Sequence, residues 1–204
     1  WKELGKINGK EYIVKTIVTT ETIKTIAERN GVEMYDVYTG FKWIANVMRE
    51  NEGKKNYIGG GEESYGFLCE DFVRDKDAVS ACVILAEIAA WAKDQGLSLY
   101  QLLQKIYVEY GFSKEKGISV VKKGKSGAEE IEAMMKKFRE NPLTEIAGSK
   151  VTYFYDYSTL KGKDYAENET VTLDMPTTSN VLQYFTEDNT KVSIRPSGTE
   201  PKIK

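Results

Sequence analysis

Residues 12–31 run YIVKTIVTTETIKTIAERNG and set the architecture expected for the first half of the chain. The first eight are β-branched and mostly apolar, which is typical of a strand buried on both faces. Thr20 can then cap a helix that places Ile23 and Ile26 on one face, and Asn30-Gly31 provides a left-handed stop. This segment therefore predicts a strand, a helix and a turn.

A second unit of the same kind follows, with a strand over residues 32–38, a helix over 40–50 and a short strand at 56–58. Alternating strands and helices indicate an α/β fold, here an α/β/α sandwich domain with a mixed, parallel-rich sheet. The apolar helix expected over residues 75–95 is interrupted by Glu87 and is too short to span a membrane, so it is predicted to lie in the core.

The composition becomes polar around residues 112–117, which favours a domain boundary there. We predict a first domain over residues 1–113 and a second over 114–204. The second is expected to be a smaller α+β domain with an antiparallel sheet packed by helices. Its predicted features are a strand at 118–121, a capping box at 126–129 that opens a helix, strands at 150–157, 170–173 and 191–195, and a charged loop at 160–170.

Composition excludes several classes of protein. The 204 residues include 29 Lys and Arg, 31 Asp and Glu, a net charge of −2 and no histidine. The chain therefore has no histidine base and no histidine-ligated zinc, and it lacks the basic excess of a nucleic-acid-binding protein.

Neither a membrane span nor a signal peptide is predicted, and Trp1 at the start suggests a trimmed chain. Cys69 and Cys82 are expected to be reduced, with Cys82 buried, in a cytoplasmic protein.

The segment Gly61-Glu62-Glu63-Ser64, together with Tyr65 and Gly66, is called the acidic loop below. Its two carboxylates and its hydroxyl can exchange hydrogen bonds with vicinal hydroxyl groups of a sugar. It lacks the Gly-Lys-Ser/Thr ending of a phosphate-binding P-loop. The same composition also fits an ordinary glycine turn with solvated acids, so this segment alone does not decide between the two.

Residues 195–202, Arg-Pro-Ser-Gly-Thr-Glu-Pro-Lys, follow a predicted strand and are called the basic loop below. Arg195 offers a planar fork of donors, and the glycine allows backbone N–H groups to face inward. Such a nest suits a phosphate dianion, although Pro-Ser-Gly is also common in surface β-turns. Lys42 and Lys76 flank predicted helix starts, where the helix dipole disfavours a cation; both also fit solvated surface lysines.

Four segments in chain order resemble the C-terminal half of the α-D-phosphohexomutases, in the bacterial phosphoglucomutase/phosphomannomutase branch. They are TGFK at 39–42, GGEESYG at 60–66, RDKDA at 74–78 and RPSGTEPK at 195–202. The resemblance implies four domains around a cleft. Residues 1–113 would be a sugar-recognition domain, the family's third, truncated at its N-terminus, and residues 114–204 a phosphate-binding domain, the fourth, truncated at its C-terminus.

The resemblance also implies a reaction and a set of site residues. Hexose 1-phosphate and hexose 6-phosphate would be interconverted through a phosphoserine enzyme and a hexose 1,6-bisphosphate intermediate, with Mg²⁺ as cofactor. The implied contacts are Glu62, Ser64, Gly40 and Lys42 for the sugar, Arg195, Ser197, Gly198, Thr199 and Lys202 for the phosphate, and Lys76 as a catalytic residue near the reacting hydroxyl.

Two sequences of the family are missing here, the Thr-x-Ser-His-Asn serine loop and the Asp-x-Asp-x-Asp-Arg metal loop. We therefore expect no metal ligands in this fragment, no activity of the fragment alone, and the missing N-terminal domains of the same chain as its partner. The Glu-Glu-Ser-Tyr-Gly version resembles glucose-using members, while mannose and pentose phosphates remain open. The alternatives are a stand-alone phosphosugar-binding or regulatory module and a purely structural interaction domain.

Overall fold

A computed structural model of the chain describes residues 1–2, 4–198 and 200–204. The chain divides into two compact units, residues 1–115 and residues 116–204. The sequence places the boundary two residues earlier, after residue 113. Each unit has a hydrophobic core of its own, and the two are described separately.

The first unit is built on a four-stranded mixed sheet in the order β2-β1-β3-β4. Strands β2 and β3 both run parallel to β1, and β4 runs antiparallel to β3. Parallel neighbours need crossover connections, which here are the helices α1 and α2. The elements are β1 (Glu11–Thr16), α1 (Thr22–Arg29), β2 (Glu33–Val37), α2 (Phe41–Asn51), β3 (Asn56–Gly61), β4 (Phe67–Cys69), α3 (Ala78–Asp94) and α4 (Leu99–Tyr110).

The core of this unit lies between α2 and the sheet. Helix α2 buries Phe41, Ile44, Val47 and Met48 at the three-and-four spacing of an amphipathic helix. The sheet side is formed by apolar and aromatic side chains of all four strands. They are Tyr12, Val14, Val37, Tyr57 and Leu68, with Tyr35 partly buried beside them.

The second unit carries an antiparallel sheet in the order β11-β10-β7-β8-β9, with β6 paired to β7 and a separate pair of β5 with β12. Helix α5 packs on this sheet through Ile131 and Met135, which belong to the same core cluster as Leu182 and Tyr184 of β10. The elements are β5 (Val120–Val121), α5 (Gly124–Glu140), β6 (Glu145–Ile146), β7 (Ser149–Asp156), β8 (Lys161–Asp164), β9 (Glu169–Thr172), β10 (Leu182–Thr186), β11 (Lys191–Ile194) and β12 (Lys202–Ile203).

The predicted fold class is confirmed: a helix-layered mixed sheet is followed by a smaller antiparallel α+β unit. The sequence does not predict β6, β8, β10 or β12 of the second unit. Residues 161–164, expected in a loop, form β8 because both neighbours, β7 and β9, supply hydrogen-bond partners. Strand β10, which lies between β7 and β11, is absent from the sequence prediction.

Helix α3 differs from the expected core helix. Ala92 is its one buried residue, while Val79, Leu85 and Trp91 are 73%, 57% and 49% exposed. Cys82, also predicted to be buried, is exposed as well. The reason is that α2 rather than α3 supplies the helical side of the core. Within the described ranges, no helix combines the length and the apolar character needed to cross a membrane.

The two predicted capping boxes behave differently. Ser98 and Gln101 form one at the start of α4, each side chain bonding the other residue's backbone N–H. Ser126 does not form the second, because α5 begins two residues earlier, at Gly124. Ser126 therefore lies inside the helix rather than at its cap.

Candidate functional site

The acidic loop is the tip of a β-hairpin. Strand β3 continues through Gly61, three residues beyond the predicted end at Ile58, and pairs with β4 from Gly59 to Gly61. The glycines are thus sheet residues rather than a flexible loop. The loop proper is Glu62–Gly66, placed at the carboxyl end of β3, where α/β sheets bind ligands.

The side chain of Glu62 is held in place by the loop that precedes α2. Its Oε1 atom accepts a 2.6 Å hydrogen bond from the backbone N–H of Gly40. The backbone N–H of Glu62 donates to the carbonyl of Gly66 at 2.8 Å, and that of Gly66 donates to the carbonyl of Ser64 at 2.8 Å. Because a carboxylate offers about four acceptor positions, Glu62 keeps capacity for hydroxyl donors.

Three glycines in this hairpin, Gly60, Gly61 and Gly66, lie where a Cβ atom would come within 3 Å of another atom, and Gly60 and Gly66 differ in what that atom is. A Cβ atom at Gly60 would lie 2.4 Å from the backbone carbonyl oxygen of Val14, and one at Gly66 would lie 2.6 Å from Oε2 of Glu62. The first contact is with backbone, which cannot move cheaply. The second is with the end of a side chain, so Gly66 determines where the carboxylate lies.

Gly40 and Lys42 belong to the start of α2. Gly40 precedes the helix with φ of 116°, a conformation that favours glycine. Lys42 is exposed, and its Nζ lies 5.1 Å from the ring centre of Trp43. Sequence reasoning did not assign a role to Thr39, whose hydroxyl oxygen is buried and has no hydrogen-bond partner among the described residues. The sequence offers no signal that would have identified this atom.

Lys76 lies on the segment that leads from β4 into α3. Its exposed ammonium group is 3.1 Å from Oδ1 of Asp75, and the Lys76 hydrogen bond holds the pKa of that carboxyl below its usual range. Asp77 caps α3 by accepting from Ser80 N–H at 2.7 Å, and its own N–H donates to the carbonyl of Phe67. Phe67 pairs with Gly61, so this segment is anchored next to the acidic loop.

The basic loop closes on itself through backbone hydrogen bonds. Ser197 N–H donates to the carbonyl of Lys202 at 2.8 Å, and Lys202 N–H donates to that of Glu200 at 2.7 Å. The N–H of Glu200 donates to Oγ of Ser197 at 3.3 Å. These three donors are directed to the protein, so phosphate would depend on side chains and on Gly198, which is exposed. Thr199 lies outside the described residues.

The two cations of the basic loop, Arg195 and Lys202, are half-buried. Arg195 precedes the turn, and its backbone exchanges two hydrogen bonds with Lys204. Lys202 forms an ion pair with Glu200, and this contact lowers the pKa of the Glu200 carboxyl. The loop therefore places two cations, Arg195 and Lys202, close together in the second unit.

A cavity of about 310 Å³ adjoins the basic loop within the second unit. Ser197 and Lys202 line it from the loop, and Ile131 and Met135 line it from α5. Asn180, which sequence reasoning missed, contributes an amide whose oxygen accepts a 2.9 Å hydrogen bond from Arg139. The cavity thus combines polar groups on one wall with an apolar wall.

No group of three or more Asp, Glu, Cys or His side chains suited to a metal ion occurs among the residues that the structure describes. The resemblance implies Mg²⁺ in the larger enzyme, but the donors present here do not fit such a site. The candidate site residues of the first unit are carboxylate and hydroxyl groups together with Lys42 and Lys76, and those of the second unit include the cations Arg195 and Lys202.

Comparison with known proteins shows what the chain resembles. Residues 1–110 match the family model described as phosphoglucomutase/phosphomannomutase, alpha/beta/alpha domain III. The chain is 35% identical over 202 residues to the phosphoglucomutase of Staphylococcus haemolyticus, covering 99% of this chain and 36% of the relative. It is 40% identical over 192 residues to the phosphoglucomutase of Staphylococcus aureus strain RF122, covering 94% and 34%.

A solved structure supports the fold. Parafusin, a phosphoglucomutase from Paramecium, superposes in its open form with a TM-score of 0.62 at 19% identity, covering 94% of this chain and 32% of that one. The chain therefore spans about a third of the length of the proteins it matches.

Proposed function

Because the chain belongs to the phosphoglucomutase/phosphomannomutase family, we propose that it is the substrate-binding part of an enzyme that interconverts hexose 1-phosphate and hexose 6-phosphate. The observation that carries this proposal is the 2.6 Å hydrogen bond from Gly40 N–H to Glu62. It holds a half-buried carboxylate at the carboxyl edge of a parallel-rich sheet, where a sugar can meet it.

In this proposal the acidic loop binds the sugar. Glu62 accepts hydrogen bonds from hydroxyl groups of the hexose, and Ser64, two residues along the same hairpin tip, adds a hydroxyl. Gly40 positions Glu62, and Lys42 lies at the adjacent helix start. A carboxylate and a hydroxyl can recognise two hydroxyl groups of one ring, which is a basis for choosing sugars over other phosphate esters.

The basic loop binds the phosphate that is not being transferred. Arg195 supplies a planar pair of donors to phosphate oxygens, and Lys202 adds a second cation. Ser197 and Gly198 complete the contact, together with Thr199. Because separate groups bind the sugar and the phosphate, a hexose phosphate can be held whichever of its two positions carries the phosphate.

The reaction itself needs groups from outside this chain. A phosphoserine would transfer its phosphoryl group to the hexose phosphate. The resulting hexose 1,6-bisphosphate would then return its other phosphoryl group to the serine. Lys76 would lie near the reacting hydroxyl and stabilise developing charge, in a reaction dominated by positioning and electrostatics. We propose that the 204-residue chain alone binds hexose phosphate weakly and does not turn it over. A cytoplasmic location is part of the proposal, because both cysteines are free thiols.

The test is a titration of the chain with glucose 6-phosphate and glucose 1-phosphate, followed by amide NMR shifts. Arg195→Ala should weaken binding about ten- to hundred-fold, because a charge-assisted hydrogen bond contributes about 1.5–3 kcal/mol. Arg49→Ala is the matched control, since it removes the same charge from an exposed position on α2. It should leave the affinity unchanged.

Equal affinities of wild type and Arg195→Ala, with both folded, would contradict the phosphate-binding role. A coupled assay on the same samples measures interconversion of the two sugar phosphates. Turnover by the chain in a preparation free of contaminating mutase would contradict the proposal that the chain only binds.

A further inference from the structure

Lys15 is a buried cation that the proposed contacts with substrate do not use. It is the fifth residue of β1 and is fully buried, with 0% of its surface exposed. In the sheet it lies between Asp36 of β2 and Gly61 of β3. Its Nζ donates to Oδ1 of Asp36 at 2.6 Å and to Oε1 of Glu21 at 3.2 Å.

Stability alone does not explain this lysine. Removing an ammonium group from water costs several kcal/mol, and replacing a buried ion pair with apolar side chains is often neutral or stabilising. The side chains of Asp36 and Glu21 are 36% and 47% exposed, so water can solvate both if the lysine is removed. A methionine at this position would keep an unbranched side chain and remove the buried charge.

The position of Lys15 links it to the acidic loop. Its partner Asp36 lies four residues before Gly40, and its other neighbour, Gly61, immediately precedes Glu62. Gly40 and Glu62 are the two residues joined by the 2.6 Å hydrogen bond. In the sheet, Lys15 thus lies between β2 and β3, the two strands that lead to the donor and the acceptor of that bond, and its ammonium group contacts β2 through Asp36.

We propose that Lys15 is a positioning residue for sugar recognition. By holding Asp36, it fixes the end of β2 relative to β3, and so sets the distance between Gly40 N–H and the Glu62 carboxylate. It acts through Glu62 and does not touch substrate. The proposal rests on the function proposed above for Glu62.

Lys55 provides a matched control in the same sheet. It also pairs with a carboxylate of β2, Glu33, and its Nζ donates to the hydroxyl of Tyr35 at 2.7 Å. Glu33 is the first residue of β2 and Tyr35 the third, so both contacts lie before Asp36 in the strand and further from Gly40 along the chain. Lys55→Met therefore removes an ion pair from the same strand without disturbing the end that meets Glu62.

The experiment compares Lys15→Met, Asp36→Asn and Lys55→Met with the wild-type chain. Three quantities are measured: urea unfolding, the amide proton shift of Gly40, and the affinity for glucose 6-phosphate. An amide that donates to a carboxylate is strongly shifted, so this resonance reports on the bond to Glu62. We expect Lys15→Met and Asp36→Asn to fold, to shift the Gly40 amide and to bind roughly five-fold more weakly. Lys55→Met should leave the amide and the affinity unchanged.

A folded Lys15→Met with an unchanged Gly40 amide and unchanged affinity would overturn the proposal. If Lys15→Met fails to fold, Asp36→Asn decides, because it leaves Lys15 in place and removes the charge of its partner, whose side chain is 36% exposed. The proposed function fails separately, if the wild-type chain does not bind glucose 6-phosphate. The amide shift then still shows whether Lys15 positions Gly40 against Glu62.

Discussion

At the scale of single residues, the position of the Glu62 carboxylate depends on the residues around it more than on its own sequence neighbours. Gly40 donates to one oxygen, and the absence of a side chain at Gly66 leaves room for the other. Gly60 has a different task, because it allows the backbones of β1 and β3 to approach. Within this short segment, Gly66 therefore serves binding, whereas Gly60 serves folding.

Substitution of these two glycines should separate the two tasks. Gly66→Ala should cost little stability, because the Glu62 side chain can adopt another rotamer. The hydrogen bond from Gly40 to Glu62 should then be lost, so the shift of the Gly40 amide proton should disappear and sugar-phosphate binding should weaken. Gly60→Ala should destabilise the first unit by roughly 1–3 kcal/mol, since its Cβ meets the carbonyl of Val14. All three tryptophans lie in the first unit, so their fluorescence in urea measures this unit.

Gly117→Ala controls for the change of glycine to alanine itself, because a Cβ atom there meets nothing within 4 Å. Gly117 lies in the second unit, so the unfolding of this variant is followed by circular dichroism. An unchanged Gly40 amide resonance in Gly66→Ala would contradict the role of Gly66 in setting the position of the Glu62 carboxylate. Equal stability of Gly60→Ala and Gly117→Ala would likewise contradict the close approach of β1 and β3.

At the scale of elements, local sequence determined the helices better than the strands. Helix α2 follows from its apolar spacing, and α4 begins where its capping box predicts. The end of β3 was mislocated because three glycines suggest a loop, whereas pairing with β4 keeps them in the sheet. Strand β8, with its sequence Lys-Gly-Lys-Asp, has no strand pattern and forms because of its neighbours.

The two predicted capping boxes can be distinguished experimentally. Ser98→Ala should destabilise the first unit by about 1 kcal/mol, because Gln101 N–H loses its acceptor at the start of α4. Ser126→Ala should be neutral or slightly stabilising, since alanine has the higher helix propensity and Ser126 lies within α5. Urea unfolding followed by circular dichroism measures both variants. A loss of stability in Ser126→Ala would place the start of α5 at the capping box after all.

The candidate site was predictable in part. Glu62, Ser64 and Arg195 stand out by residue type, and the family resemblance assigns them roles. The bond between Gly40 and Glu62 joins residues 22 positions apart, and no local pattern predicts it. The sequence does not single out Lys15, because a single lysine in a mostly apolar strand has no distinctive spacing. Its burial depends on β2, which pairs with β1 and carries Asp36.

At the scale of the whole molecule, the chain has a net charge of −2, and the fold lowers the pKa of several of its carboxyl groups. Hydrogen bonds from the Thr186 hydroxyl and from Thr190 lower the pKa of Asp188 to about 2. The pKa of Asp77 is lowered by its bonds with Ser80, and that of Glu33 by Lys55. These groups belong to both units, so acid acts on the entire chain.

Asp188→Asn should make the second unit less sensitive to acid. The folded-state pKa of Asp188 lies below its ordinary value of 3.8, so its contribution to stability is complete above that value. This contribution is lost as the pH falls through about 2. Wild type should therefore exceed Asp188→Asn in stability at pH 5, and the difference should vanish near pH 2. Urea titrations at pH 5, 3 and 2 measure it, and a difference independent of pH would contradict the assignment.

The exposed apolar surface of α3 has a practical consequence for work with this chain. Dyes that fluoresce on hydrophobic surfaces respond to exposed side chains such as Val79, Leu85 and Trp91, whether or not the protein is folded. Such dyes will give a bright signal on the native chain, and thermal-shift curves will start from a high baseline. Intrinsic tryptophan emission, to which Trp91 on the same helix contributes together with Trp1 and Trp43, avoids this background because it needs no dye.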